Sequence, residues 1–563
     1  MRDRKHPIIV VAGLVVALAV ATGCSAPQQS PSSGQGASDS GPVKPKVDRV
    51  IIAMTPFRGE GNDPGRDLSA PLAVQLRPMY DKLIGIDAKN GKLIPELATE
   101  WKLEPDGKSF RFILRKGVQF HDNAGEFTGK DIQMTFDDMT QQGSLSSNGP
   151  IFKDTVEEIQ QVNPYEVVMK QRVPDAEFLN NVSQLVGGFE IVSKADYDKR
   201  GYPTMTTRPL AGTGPYQFKE RAQGQYIRFE RPPFQHYRVT PDFPELEMRM
   251  VGEASTRMAA LLTGEVHMAP LPEDLLAQAE RQNMKVAKGA VPSLRIFIQM
   301  RGVYLNDPKD FTGAKGFKFP NSPFMKPQVR QALSKATDRD ALNKGFFNGK
   351  GELMVLNPYH PTRLGWNPEW EKQFPQAYGF DVEKARSLLT EAGYGPSNPL
   401  KLEFLLSKLP DVSASEDIAE AVASMWKKVG VDASLTTIDS TQLDLKRRQL
   451  EFDHHLEVWA TASHQLTGVR VYGTSLHGIR GQAVELPEVS GLYQKASEIL
   501  NDDEKVAPIW KQLGDKSFAG FQTIPLFWLD TKLAVNPQFV SDYIFPASIS
   551  GSWTHLENIK AAR

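Results

Sequence analysis

The sequence contains one cysteine, Cys24, in 563 residues. No internal disulfide can form, and no multi-cysteine zinc or iron–sulfur site can be built. An excess of charge of either sign is also missing: 66 Lys and Arg face 67 Asp and Glu, for a net charge of −1. That balance argues against nucleic-acid binding, which needs a basic excess or stripe. It also argues against a polybasic protein held on anionic lipid. No apolar run reaches the roughly 20 residues that span a bilayer. There is no internal repeat, no G-x-S-x-G nucleophile turn and no H-E-x-x-H zinc pair. The acidic pairs Glu157-Glu158 and Asp502-Asp503 read as solvated surface, so a secreted hydrolase finds no support and no catalytic residue is assigned. What is present is an ordinary soluble composition, 40% apolar and 24% charged. At roughly 100–200 residues per domain, the length allows two to four domains.

The N-terminus carries its own pattern. Arg2, Arg4 and Lys5 precede Ile8–Ala21, an apolar run of 14 residues broken only by Gly13. That run is short for a membrane span and matches a signal-peptide core. It ends in Ala21-Thr22-Gly23-Cys24, which resembles a bacterial lipobox, with Ala21 where Leu is common. The resemblance implies a signal peptide over 1–23, cleaved before Cys24, and a lipid on Cys24. Ser25 to Pro45 is rich in Ser, Gly, Gln and Pro and lacks aromatics. It cannot bury a core and reads as a flexible tether within 24–48. The expected location is the outer face of the bacterial cytoplasmic membrane, in the periplasm or on the cell surface, held by the lipid.

Beyond residue 49 the pattern is that of an α/β protein. Val50–Met54 reads as a buried first strand. Phe110–Arg115, Glu166–Met169 and Tyr226–Phe229 read as further strands. Val382, Ala385, Leu388, Leu389 and Ala392 repeat at helical spacing, with Gly393 as the stop. Ile418, Ala421, Val422 and Met425 do the same up to Gly430, and Val431–Leu435 then reads as a strand. Helix followed by strand argues for α/β units. Gly302–Ser322, with its Gly, Pro, Asn and Lys, reads as a surface loop.

Several segments, in order, resemble the extracytoplasmic solute-binding proteins of ABC importers, family 5, the peptide- and nickel-binding class. They include Tyr80-Asp81-Lys82-Leu83, Leu93-Ile94-Pro95-Glu96-Leu97-Ala98-Thr99-Glu100-Trp101 and Val118-Gln119-Phe120-His121-Asp122. Gly212-Thr213-Gly214-Pro215-Tyr216, Leu261-Leu262-Thr263-Gly264-Glu265-Val266 and Glu391-Ala392-Gly393-Tyr394 follow. Asn123-Ala124 stands where the family has a single Gly, and His267 where it has Asp. The resemblance implies the two-lobed periplasmic-binding-protein fold of the large type II class, with an extra subdomain in the first lobe. The expected layout is a first lobe over 49–292, with its subdomain at about 70–190, a second lobe over 293–524, and a return to the first lobe over 525–563.

The same resemblance implies the function of an importer's substrate-binding component. An oligopeptide or peptide-like solute, or an oligosaccharide, would be captured between the lobes and delivered to permease and ATPase subunits. A nickel or metal-chelate ligand is the alternative. A monomer without cofactors is expected. In peptide binders of this class an Asp shortly after a Trp of the second lobe holds the free amine. Here Trp459 fits, but the Asp position falls on Ala462, so this protein is not expected to anchor a free peptide N-terminus in the usual way. The candidate ligand contacts are Trp459, Thr461, Ser463 and His464 in the second lobe, and Phe57, Arg58 and Asn62 after the first strand. His454, His455, His464 and His477 cluster in sequence, but His454 and His455 would face opposite sides of a strand, so no metal ligand is assigned.

Overall fold

The computed structural model describes residues 44–563 apart from 58, 67–71, 147, 291, 407–411, 413, 463–464, 477–483, 501 and 547–553. Cys24 and the tether lie outside the described residues. Two mixed sheets organise the chain. The first has seven strands in the order Lys285–Lys288, Lys532–Val535, Met268–Ala269, Arg49–Met54, Glu245–Met250, Tyr226–Glu230 and Gln217–Ala222. The second has six, in the order Glu352–Leu353, Thr523–Leu529, Leu294–Met300, His455–Ala462, Leu400–Leu406 and Val431–Thr437. Arg49–Met54 runs parallel to both of its neighbours, and Leu400–Leu406 likewise. A four-stranded antiparallel sheet, formed between Ala98 and Gln171, has a separate core that includes Leu83, Phe112, Phe178 and Ile191.

The helices form where the apolar spacing places them. Asp381 caps Val382–Glu391 by accepting the Lys384 N–H, and Ala385, Leu388 and Leu389 are buried. Ser415–Lys427 buries Ile418, Val422 and Trp426 against the second sheet. The Trp426 indole N–H donates to Leu333 O and Thr337 Oγ1, so its polar edge is satisfied inside the core. Each large side chain buried here contributes roughly 1.5–3 kcal/mol, which is how two lobes of this size dispense with disulfides.

Glycine is required at one close approach. A Cβ on Gly212 would fall 2.0 Å from the Met79 carbonyl oxygen, and one on Gly214 would fall 2.6 Å from the Met79 carbonyl carbon. The bend can therefore lie against residues 78–80 only without side chains. The extra residue at Asn123 is taken up by left-handed backbone at Asp122 and Asn123, which short polar residues tolerate.

Two expectations need correction. The boundary at 524/525 falls inside the strand Thr523–Leu529, which pairs with Leu294–Met300 along its length. The return to the first sheet therefore comes after Leu529, at Asp530 and Thr531. Gly302–Ser322 is not a surface loop throughout. Val303, Tyr304 and Leu305 are buried, and the Leu305 N–H donates to Glu485 Oε2 at 2.6 Å; the polar residues that suggested a loop begin only at Asn306.

The chain crosses between the sheets twice, at 289–293 and at 530–531. The crossings lie side by side: Gly289 N–H donates to Thr531 O at 2.9 Å, and the Ser293 and Thr531 hydroxyls are 3.1 Å apart. The C-terminal segment is fixed to the first lobe by charge. Arg238 meets Asp81 at 2.6 Å, Glu557 at 3.0 Å and Glu96 at 3.2 Å.

Two buried histidines each favour unfolding of the first lobe in acid. His121 Nε2 lies 2.9 Å from Gly214 O, and His267 Nδ1 accepts the Ile51 N–H at 3.1 Å. Burial pushes both down to about 4, and Arg249 adds to the effect at His267. The unfolded chain then binds more protons between about pH 6.5 and 4, so stability falls as pH drops through that window. The two histidines are expected to lower the melting temperature from pH 7 to pH 4.5, against the opposite contribution of Glu96, whose carboxyl burial raises to about 8. His267→Asn, which keeps an acceptor for Ile51, should flatten part of that slope; an identical slope in the variant would show that His267 does not carry it.

Candidate ligand-binding site

Alternation along two adjacent strands of the second sheet sorts apolar from polar side chains. Ile296, Ile298 and Met300, with Leu456, Val458 and Ala460, join the core on one face. The period of two sends Arg295, Phe297, Gln299 and Arg301, with Glu457, Trp459 and Thr461, to the other. Arg295, Gln299, Arg301 and Glu457 are buried there, and Arg301 and Glu457 are paired. Arg301 donates twice to Glu457 at 2.8 Å, and Arg447 donates to it at 2.6 Å. Burial alone would raise the Glu457 carboxyl, but the two guanidiniums outweigh it and hold it below the usual range. The Arg447 guanidinium lies 4.5 Å from the Trp459 ring. The Trp459 indole N–H donates to the Tyr472 hydroxyl at 2.8 Å. Arg295 donates to Asn357 Oδ1 at 2.8 Å and sits 5.7 Å from the rings of both Tyr472 and Trp528. Burial pulls its guanidinium down to about 9.

Beyond the end of His455–Ala462, the helix Gln465–Gly473 borders a cavity of about 540 Å³. The subdomain supplies Lys92, Asp175 and Asn180 to its walls, the second lobe supplies Arg363, Gln465 and Trp510, and the crossing supplies Ser293. The cavity is thus shared by the two lobes. Next to it, Glu177 reaches from the subdomain into the second lobe. Its carboxylate accepts from the Thr467 hydroxyl at 2.9 Å and the Tyr493 hydroxyl at 2.8 Å, and Arg470 Nη2 lies 3.2 Å away. Glu177 and Tyr493 are both buried.

Of the sequence-derived candidates, the four that are described, Trp459, Thr461, Phe57 and Asn62, do not line this cavity. Trp459 and Thr461 are half-buried on the polar face of the sheet, with Thr461 opposite Arg295 in register. Phe57 packs against the first-lobe core. Asn62 is buried, and its amide nitrogen is turned to the carbonyls of Thr204 and Thr207. Arg58, Ser463, His464 and His477 lie outside the described residues. His455 pairs with Glu403 at 2.9 Å and His454 with Asp453 at 2.6 Å. Among the described residues, no three His, Cys, Asp or Glu side chains are grouped to hold a metal ion. Asp175, Glu177, Arg363 and Gln465 had no signal in the sequence: Pro174-Asp175-Ala176-Glu177 reads as a polar turn, and only its burial sets it apart.

Two α/β lobes, twin crossings and a cavity closed between them define a two-lobed solute-binding protein. The profile of the bacterial extracellular solute-binding proteins, family 5 Middle, matches residues 92–470. The dipeptide-binding protein of Escherichia coli K12 is 27% identical over 381 residues, 64% of this chain and 66% of that one. Heme-binding protein A of Haemophilus influenzae is 26% identical, over 68% of this chain and 69% of its own. In structure, the chain is similar to the ABC transporter-associated periplasmic binding protein DppA of Helicobacter pylori, solved with the peptide STSA. The TM-score is 0.71 at 20% identity, covering 92% of this chain and 98% of that one. NikZ of Campylobacter jejuni, solved with Ni(L-His), gives 0.69 at 18% identity, over 91% and 99%. The chain belongs to the family 5 bacterial extracellular solute-binding proteins. It is a substrate-binding component of an ABC importer, and its family binds substrates without converting them.

Removing one partner of a buried ion pair costs about 3–5 kcal/mol. Glu177→Ala is therefore expected to shift the unliganded protein toward an open form with a larger radius of gyration in small-angle scattering. Unchanged scattering would mean that Glu177 does not hold the lobes together.

Proposed function

We propose that this protein captures a small amine- and carboxylate-bearing solute, a short peptide or peptide-like compound, and presents it to its importer. The observation that carries this reading is the cavity shared by the lobes, lined by charges of both signs and closed beside Glu177. Its size falls within the range of small-molecule sites, about 300–1,000 Å³. Asp175 from one lobe and Arg363 from the other place charges of both signs on the wall, which suits a zwitterion. Leu179, Leu364, Leu466 and Trp510 supply apolar wall for side chains. Relatives that bind dipeptides, and a fold neighbour solved with a peptide, support the same class.

Capture proceeds by hinge closure about the twin crossings. The solute favours the closed form only through contacts it gains there, and the membrane subunits read the closed form. A lipid on Cys24 and the tether after it keep the protein beside its permease. Trp459 acts behind the wall, holding Tyr472 and with it the helix Gln465–Gly473, whose first residues face the cavity.

A thermal-shift and calorimetry series on residues 25–563 tests the reading, with free di- and tripeptides, oligosaccharides and nickel–histidine as probes. A probe at 100 times its Kd adds about 2.7 kcal/mol of stability. Stabilisation by peptides supports the proposal, and stabilisation by sugars or the nickel chelate alone would overturn it. Trp459→Ala is expected to weaken the binding of a stabilising peptide by roughly tenfold, about 1.4 kcal/mol. An unchanged Kd would remove Trp459 from the site.

A further inference from the structure

One carboxylate that lines the cavity has an oxygen without a partner. Asp175 lies on the loop after strand Glu166–Gln171 and lines the cavity. Its Oδ1 accepts the Glu177 backbone N–H at 2.9 Å. Its Oδ2 is shut off from solvent and accepts no hydrogen bond. The cation nearest in charge, Arg470, is held by Glu177, and Asp175 itself forms no ion pair with a described residue. The other wall carboxylates differ. Asp502 caps the helix Asp503–Ala519 through the Lys505 N–H and also meets Lys505 Nζ at 2.6 Å. Asp503 is exposed.

We propose that Asp175 is the cation anchor of the site, its carboxylate taking the ammonium group of the bound solute. The proposal rests on the reading that the cavity is where the solute is held. An ionised carboxylate only accepts hydrogen bonds, and an ammonium offers three donors; the ligand thus supplies what the protein withholds. Burial first, and the Glu177 charge second, push the Asp175 carboxyl up to about 6, as fits a carboxylate short of a counter-charge. The amine is then recognised from the first lobe, by a side chain that also holds the backbone of Glu177. An ammonium at Asp175 steadies the same loop that carries the closing carboxylate, so recognition of the amine and closure of the lobes share one element.

The test compares a free-amine dipeptide with its N-acetyl form, by calorimetry on wild type and the near-isosteric Asp175→Asn. Wild type should prefer the free amine. The variant should lose roughly thirtyfold in affinity for it, the low end of what truncating one partner of a buried charge pair costs. Its affinity for the N-acetyl form should be unchanged, which also shows that the variant is folded. A free-amine preference that persists in Asp175→Asn overturns the proposal alone. Equal wild-type affinity for both forms also overturns it, leaving peptide capture intact. Wild type that binds neither form overturns peptide capture and the proposal together.

Discussion

A carboxylate buried between two bodies that must separate is an unusual investment for a protein. Glu177 leaves water to meet Thr467, Arg470 and Tyr493, and hydrogen bonds to a charged group are worth about 1.5–3 kcal/mol each against an isolated buried charge. At the rim, Lys350 reaches Glu273 at 3.6 Å and Glu280 at 3.8 Å, but these are partly exposed pairs, worth about 0–1 kcal/mol. Among these polar contacts the magnitudes favour Glu177, and Leu500 of the second lobe packs against the subdomain core as well. The apposition of Arg363 and Gln465 with Asp175 and Asn180, and therefore the cavity itself, follows from this interlobe contact.

Rigid lobes are the complement of that contact. In the first lobe, Arg238 gathers Asp81, Glu96 and Glu557 from three distant stretches of chain. In the second, Glu457 gathers Arg301 and Arg447. Such networks have one good geometry and lose much when one member moves. Deformation is therefore directed to the two short crossings, which are tied to each other by a backbone hydrogen bond, one pair of hydroxyls and the partly exposed Lys288–Asp530 pair at 3.6 Å.

The sequence made the scaffold legible because the scaffold is periodic. Ala385, Leu388 and Leu389 announce a helix by spacing alone, and Val50–Met54 announces a buried strand. The bend at Gly212 and Gly214 was visible as a family pattern before its close contact with Met79 explained it. The site was far less legible. Trp459 drew attention because it matches the Trp that precedes the amine-binding Asp in peptide binders of the family, yet its indole N–H is turned to the Tyr472 hydroxyl. Asp175 and Glu177 look like any solvated turn, since nothing local distinguishes a carboxylate that a second lobe will cover. The boundary at 524/525 failed for a related reason: Thr523–Leu529 is apolar throughout and would suit either sheet, and only its pairing with Leu294–Met300 decides.

The twin crossings also set an order of assembly. Strand Lys532–Val535 lies inside the first sheet, between Met268–Ala269 and Lys285–Lys288, and the latter joins the sheet only through it. During synthesis, from the N-terminus onward, the first lobe must wait while the whole second lobe is made. Until then Met268–Ala269 presents an open edge, the kind of surface on which chains aggregate. The inserted lobe is a closed excursion, and its completion brings residues 530–535 back to where they are needed. The chain's most vulnerable moment is thus the interval before its last strands arrive, and the pace at which the second lobe folds determines how long that interval lasts.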